Sequence, residues 1–198
     1  MSIKKLITGL KLSLVLASMS VGAAENHLGI IAYQEGDHAT AFSELSPLAE
    51  QGDEVAQFYL GVMYDFGQGV LENDKSAVYW YIKAAEQGKA NAQYNLGVMY
   101  DNGDGVLKND KAAVDWYTKA ALQGHDSAQT NLGYMYQNGQ GILTDNRRAY
   151  MWYSLGNYNG NKLGGKNRDI IAKQMTPADI SKAQDMSSRC LESNYTDC

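Results

Sequence analysis

Residues 49–84, 85–120 and 121–156 are three copies of one 36-residue unit, joined without a gap. The first copy reads AEQGDEVAQFYLGVMYDFGQGVLENDKSAVYWYIKA and the second AEQGKANAQYNLGVMYDNGDGVLKNDKAAVDWYTKA, which agree at 25 of 36 positions. The third, ALQGHDSAQTNLGYMYQNGQGILTDNRRAYMWYSLG, keeps 17 of 36 against the second. A fixed period of this length is the mark of one supersecondary unit that closes its core only by stacking on its neighbours.

Each copy resolves into two helices. In the first half, Ala56, Leu60, Met63 and Tyr64 recur at helical spacing on one face, and Gly67 and Gly69 then stop the helix. The second helix is expected to begin at Asp74, Asp110 and Asn146, whose side chains can accept from a first-turn amide. It turns Ala77, Trp80, Tyr81 and Ala84 inward and ends before Gly88, Gly124 or Gly160, a residue free to adopt the left-handed conformation. Gly61, Gly97 and Gly133 lie inside the first helices, where glycine costs about 1 kcal/mol relative to alanine. Close approach of a neighbouring helix is the physical reason for them. A lone pair of helices would not persist, because each large buried side chain contributes about 1.5 to 3 kcal/mol while backbone ordering costs about 1 to 2 kcal/mol per residue. The sequence therefore predicts an all-α solenoid.

The pattern A-x-x-x-L-G-x-M-Y-x-x-G-x-G-V, followed by W-Y-x-K-A-A-x-Q-G, resembles the Sel-1-like repeat family, relatives of the tetratricopeptide repeats. The resemblance implies a short right-handed α-solenoid of helix-turn-helix repeats over nearly all of residues 25–198. Residues 25–48 would supply opening helices, with Ala41, Phe42, Leu45, Leu48 and Ala49 as the apolar face of residues 36–52. Residues 157–198 would form a degenerate repeat and C-terminal cap, in which Thr176, Pro177 and Asp179 suit an N-cap, a first-turn proline and an acid at the third position. The third copy departs from the pattern at Leu155-Gly156, where lysine-alanine is usual. Some exported relatives carry a disulfide in every repeat and are associated with weak penicillin binding or hydrolysis, whereas no repeat here contains cysteine.

The first 24 residues read as a secretory signal: Lys4, Lys5 and Lys11 lead into the apolar run Leu12 to Val21, followed by small residues. Ser13, Ser18 and Ser20 interrupt a run already shorter than the roughly 20 residues of a membrane span. Its removal takes away three lysines and no acid, leaving 14 basic and 22 acidic side chains, a net charge of −8. That balance opposes binding to a phosphate backbone, so no nucleic-acid partner is expected. Cys190 and Cys198 are the only cysteines, and in an oxidising compartment such a pair is expected to form a disulfide.

No motif for chemistry survives inspection. GNKLGGKN (160–167) has the P-loop spacing, with Gly160, Gly165 and Lys166, but Asn167 stands where magnesium needs Ser or Thr. Gly160 is also the fourth of the series Gly52, Gly88, Gly124, Gly160, so it should end a helix, and no nucleotide is expected. DNGDGVLKND (101–110) resembles a calcium loop, yet aligning Gly105 at the sixth position puts Tyr100 at the first and Lys111 at the twelfth; it reads as an inter-helix turn. His27, His38 and His125 are scattered without H-E-x-x-H, and the only S-x-x-K, Ser2 to Lys5, lies in the signal segment. The sequon Asn194-Tyr195-Thr196 matters only in a glycosylating pathway. No catalytic residue, metal or cofactor is assigned.

What remains is a surface. Phe58, Val62 and Asp65 lie on the first helix opposite Ala56, Leu60 and Met63, and their counterparts are Tyr94, Val98 and Asp101, then Thr130, Tyr134 and Gln137. In tetratricopeptide-like stacks the first helices line the concave side, so the resemblance places this apolar and aromatic strip, with acidic margins, in a groove. The alternative is that these residues pack against the next repeat. The leading expectation is an exported, periplasmic or secreted, protein that binds a peptide or protein partner on that face and keeps no membrane anchor once the signal is removed. Alternatives are a hydrolase of cell-wall or penicillin chemistry and a structural assembly component.

Overall fold

The computed structural model describes residues 28–198; the expected signal segment and His27 lie outside the described residues. Among the described residues every regular element is helical. In chain order these are α1 (28–34), α2 (His38–Glu50), α3 (Glu54–Phe66), α4 (Asp74–Glu86), α5 (Ala90–Asn102), α6 (Asp110–Ala121), α7 (Asp126–Asn138), α8 (Asn146–Tyr158), α9 (Lys162–Ala172) and α10 (Pro177–Glu192). The chain divides into two compact units, one ending at Trp80 and one running from Tyr81 to Cys198.

In the first unit α2 packs against α3 around Ala41, Leu45, Leu48, Ala49, Ala56, Leu60 and Met63, with Phe42 half-buried at the edge. The Asp37 side chain caps the first turn of α2 by accepting from Thr40 N at 3.1 Å. In the second unit α5 packs on α6, α6 on α7, α7 on α8, and α8 on both α9 and α10. The core there is built from Ala128, Leu132 and Met135 of α7, Tyr117 of α6, Tyr150 to Tyr153 and Leu155 of α8, and Ile171, Ala183 and Cys190 beyond them.

The turn between the two helices of each copy is built the same way three times. Gly67, Gly103 and Gly139 adopt left-handed φ values of 63°, 92° and 68°, and each donates its N–H to the carbonyl of Met63, Met99 or Met135. Six residues later Asn73, Asn109 or Asp145 donates its N–H to Tyr64, Tyr100 or Tyr136 O at 2.8, 2.8 and 3.0 Å, closing the loop. These same three side chains are the N-caps of the following helices: Asn73 Oδ1 accepts from Ser76 N, Asn109 Oδ1 from Ala112 N, and Asp145 Oδ1 from Arg147 N and Arg148 N. The caps therefore stand one residue upstream of the expected Asp74, Asp110 and Asn146, which are the first helical residues. Both members of each pair can cap, and the loop-closing bond decides between them.

Gly97 and Gly133 lie against an aromatic ring. A Cβ on Gly97 would lie 2.6 Å from Tyr117 Cδ1, and one on Gly133 would lie 2.7 Å from Tyr153 Cδ1. The close neighbour is thus the second helix of the same copy. Gly156, the departure in the third copy, is explained similarly: its Cβ would meet Thr130 Oγ1 at 2.5 Å.

The segment with P-loop spacing is the turn from α8 into α9. Gly160 has φ +113°, Asn161 Oδ1 caps α9 by accepting from Leu163 N and Gly164 N, and Gly164, Gly165 and Lys166 are helical. Gly164 is buried against Thr130 Oγ1 and Tyr153 O, so these glycines serve helix packing. α9 begins 36 residues after α7, in the register of the first helices. Thr176 caps α10, with Pro177 in its first turn and Thr176 Oγ1 accepting from Asp179 N, as expected.

Cys190 and Cys198 are joined by a disulfide that ties the tail to α10. Closing so short a loop contributes about 2 kcal/mol. Reduction should therefore lower the melting temperature by about 4–8 °C at this chain length, while Cys190→Ser with Cys198→Ser should melt at the same temperature with or without reductant.

Candidate functional site

The first-helix strip is neither wholly open nor wholly packed. Phe58, Val62 and Asp65 are each half-buried in the first unit. In the second unit Tyr94 and Val98 are half-buried against the core, and Tyr94 stacks on His125 with ring centroids 4.6 Å apart and planes 20° from parallel. Tyr134 is 48% exposed. Gln137 Oε1 accepts from the Tyr153 hydroxyl at 2.7 Å, and burial pushes that hydroxyl up to about 12. Thr130 differs from the others. It is 3% exposed, donates its hydroxyl to Asp126 O at 3.1 Å and lies beneath Gly156 and Gly164, which removes it from any surface a partner can reach. The accessible strip of this unit is therefore Tyr94, Val98, Asp101, Tyr134 and Gln137.

Its electrostatics are set by a few groups. Lys108 Nζ donates to Asp101 O at 2.6 Å and lies 3.5 Å from Asp101 Oδ1, fixing the end of α5. Burial raises the Tyr94 and Tyr117 hydroxyls above the usual phenol range, so both are neutral donors at physiological pH.

The His125 side chain is 16% exposed and has two contacts. It stacks on Tyr94 and caps α7, with Nδ1 accepting from Ala128 N at 3.2 Å. Burial holds its pKa below the usual value, opposed by the nearby Asp126 charge. Its folded pKa is below its unfolded one, so the stability it contributes is present above about pH 6.5 and is lost as pH falls through the lower folded value. Protonation also removes the Nδ1 acceptor and puts a cation at a helix N-terminus. The melting temperature should accordingly drop between pH 7 and pH 5, and His125→Asn, which can cap without titrating, should flatten that slope.

Sequence reasoning missed a buried polar contact that recurs in each copy. Gln57, Gln93 and Gln129 are buried, and their Nε2 groups donate to Ala49, Ala85 and Ala121 O at 3.0, 3.1 and 3.0 Å. Gln93 and Gln129 Oε1 accept from Gln123 and Asn159 respectively, each at 2.8 Å. The signal was present: a glutamine follows the buried alanine in all three copies.

The Sel1 repeat family matches this chain at residues 55–89, 90–125 and 126–161, more than half of its length. The chain belongs to the Sel1 repeat family. Such repeats generally build protein–protein interaction scaffolds. Among solved structures, the chain is similar to a Sel1 repeat protein from Oxalobacter formigenes, with 37% identity, a TM-score of 0.69, and coverage of 72% of this chain and 59% of that one. It is also similar to a protective antigen of uropathogenic Escherichia coli strains that displays an SLR fold, with 30% identity, a TM-score of 0.55, and coverage of 90% of this chain and 48% of that one. The chain thus spans about half to three fifths of the length of these two Sel1 repeat proteins. No curated protein matches it. Among the described residues no helix is long and apolar enough to cross a membrane.

Proposed function

We propose that this Sel1 repeat protein is an exported adaptor that binds a peptide or protein segment on the open side of its first helices. In the second unit the surface comprises Tyr94, Val98, Asp101, Tyr134 and Gln137; in the first unit the equivalent residues are Phe58, Val62 and Asp65. The observation that carries this reading is Tyr134, a large aromatic side chain 48% exposed on a helix whose other aromatic, Tyr136, is buried. An exposed aromatic beside half-buried apolar residues is the composition of a binding hot spot, and solenoids hold extended partners on a concave surface, which the resemblance to tetratricopeptide stacks assigns to the first helices. Acids at the margin favour basic groups on the partner. The apolar run at residues 12–21 and the Cys190–Cys198 disulfide support a periplasmic or secreted location.

The test is capture from cell-envelope extract by the mature protein and by a Val98→Ala, Tyr134→Ala variant with unchanged helical circular dichroism. The proposal expects a protein held by the first and lost by the second. Equal capture by both would place binding elsewhere on the molecule.

A further inference from the structure

The strip does not end at the third repeat. α9 lies in first-helix register, so the positions occupied by Tyr94, Val98 and Asp101 on α5, and by Thr130, Tyr134 and Gln137 on α7, are Lys166, Ile170 and Lys173 on α9. All three are exposed, Ile170 by 53%. The buried side of α9 is fixed independently by Gly164 and Gly165, which pack on Thr130, Tyr153 O and Asn157, and by the fully buried Ile171. At 100° per residue, Lys166, Ile170 and Lys173 fall on the opposite side of the helix.

The apolar centre of the strip therefore continues, from Val98 through Tyr134 to Ile170, while its margin reverses in charge. Asp101 shares the single cation Lys108 with Asp110, at 3.5 and 3.2 Å, so the α5 end keeps a net negative charge, while Gln137 is neutral and Lys173 basic. Lys162, one turn before Lys166, adds to the basic end, and the one acid on this face, Asp169, is paired with Arg168 at 2.8 Å. Among the described residues Lys166 and Lys173 have no ion-pair partner.

We infer that the α9 face is the second end of the peptide-binding strip, and that the partner is a bipolar peptide segment. It carries an apolar anchor between a basic end, lying toward α5, and a carboxylate-bearing end held by Lys166 and Lys173. This rests on the proposed strip and adds the partner's charge order. A uniformly basic segment would meet repulsion at α9, and a uniformly acidic one would meet it at the Asp101 and Asp110 carboxylates, which have one lysine between them.

The experiment is selection from a displayed random-peptide library on the mature protein, on Lys166→Glu with Lys173→Glu, and on Val98→Ala with Tyr134→Ala, each checked by circular dichroism. The wild type should enrich sequences with basic and acidic residues segregated about an apolar residue. The double lysine variant should enrich sequences lacking the acidic end and should bind the wild-type peptide about tenfold more weakly. An unchanged consensus on the lysine variant, with binding lost in the Val98 and Tyr134 variant, overturns the bipolar inference and leaves the strip standing. A consensus that survives all the substitutions, or no enrichment at all, overturns both.

Discussion

Gly133→Val should destabilise the second unit by about 3 kcal/mol, the upper part of the range for overpacking a filled core. A Cβ at this position lies 2.7 and 2.9 Å from two ring carbons of Tyr153 and 3.1 Å from Ala149 O. Neither neighbour can yield easily. Tyr153 is fully buried and its hydroxyl is tied to Gln137, and Ala149 O belongs to the backbone of α8. At this chain length the melting temperature should fall by about 6–12 °C. Gly88→Ala separates this steric effect from a conformational one. No atom lies within 4 Å of a Cβ there, but φ is +97°, so a loss of about 1–2 kcal/mol is expected from left-handed strain alone. Thermal unfolding followed by circular dichroism ranks the two, and equal losses would show that the Tyr153 contact is not what requires glycine at position 133.

Gln129→Leu is the second large effect, expected at about 2 kcal/mol. The substitution keeps side-chain bulk but leaves Ala121 O without its side-chain donor and removes the acceptor used by Asn159 Nδ2. Ala121 O keeps the bond from Gly124 N and Asn159 Nδ2 keeps its bond to the Tyr195 hydroxyl, so the loss is that of two hydrogen bonds, about 1–3 kcal/mol together. The exposed Gln123 is the matched control: Gln123→Leu removes one bond, the donor to Gln93 Oε1, and should lose about 1 kcal/mol. Gln129→Glu adds a pH signature. A carboxylate facing Ala121 O has a folded pKa raised above its unfolded value, so the variant is weakest at neutral pH and recovers as pH falls toward the ordinary glutamate value of about 4.3.

The parts of this protein legible in its sequence are those repeated three times. Period, helix pairing, left-handed glycines and the inward faces follow from spacing, because each copy solves the same packing problem with the same residues. The N-caps were misplaced by one residue because Asn73 and Asp74 are both chemically competent, and only the bond from Asn73 N to Tyr64 O distinguishes them. Thr130 shared the spacing of the strip yet is buried, because glycines at 156 and 164 let α8 and α9 close over it. His125 was unreadable for a related reason: its stack on Tyr94 joins residues 31 apart, and only the fold brings them together. The residues of α9 were hidden by degeneracy, since Arg168 and Asp169 replace the leucine-glycine of the other first helices. Counting 36 residues onward from Tyr134 would still have found Ile170.

Partners are proposed to meet this protein on its exposed first-helix face. The most direct measurement is photo-crosslinking in living cells, with p-benzoylphenylalanine placed in turn at Tyr134 and at Asp115, an exposed residue of the second helix α6. A covalent protein adduct is expected from position 134 and none from position 115. An adduct at 115 with none at 134 would contradict the proposal.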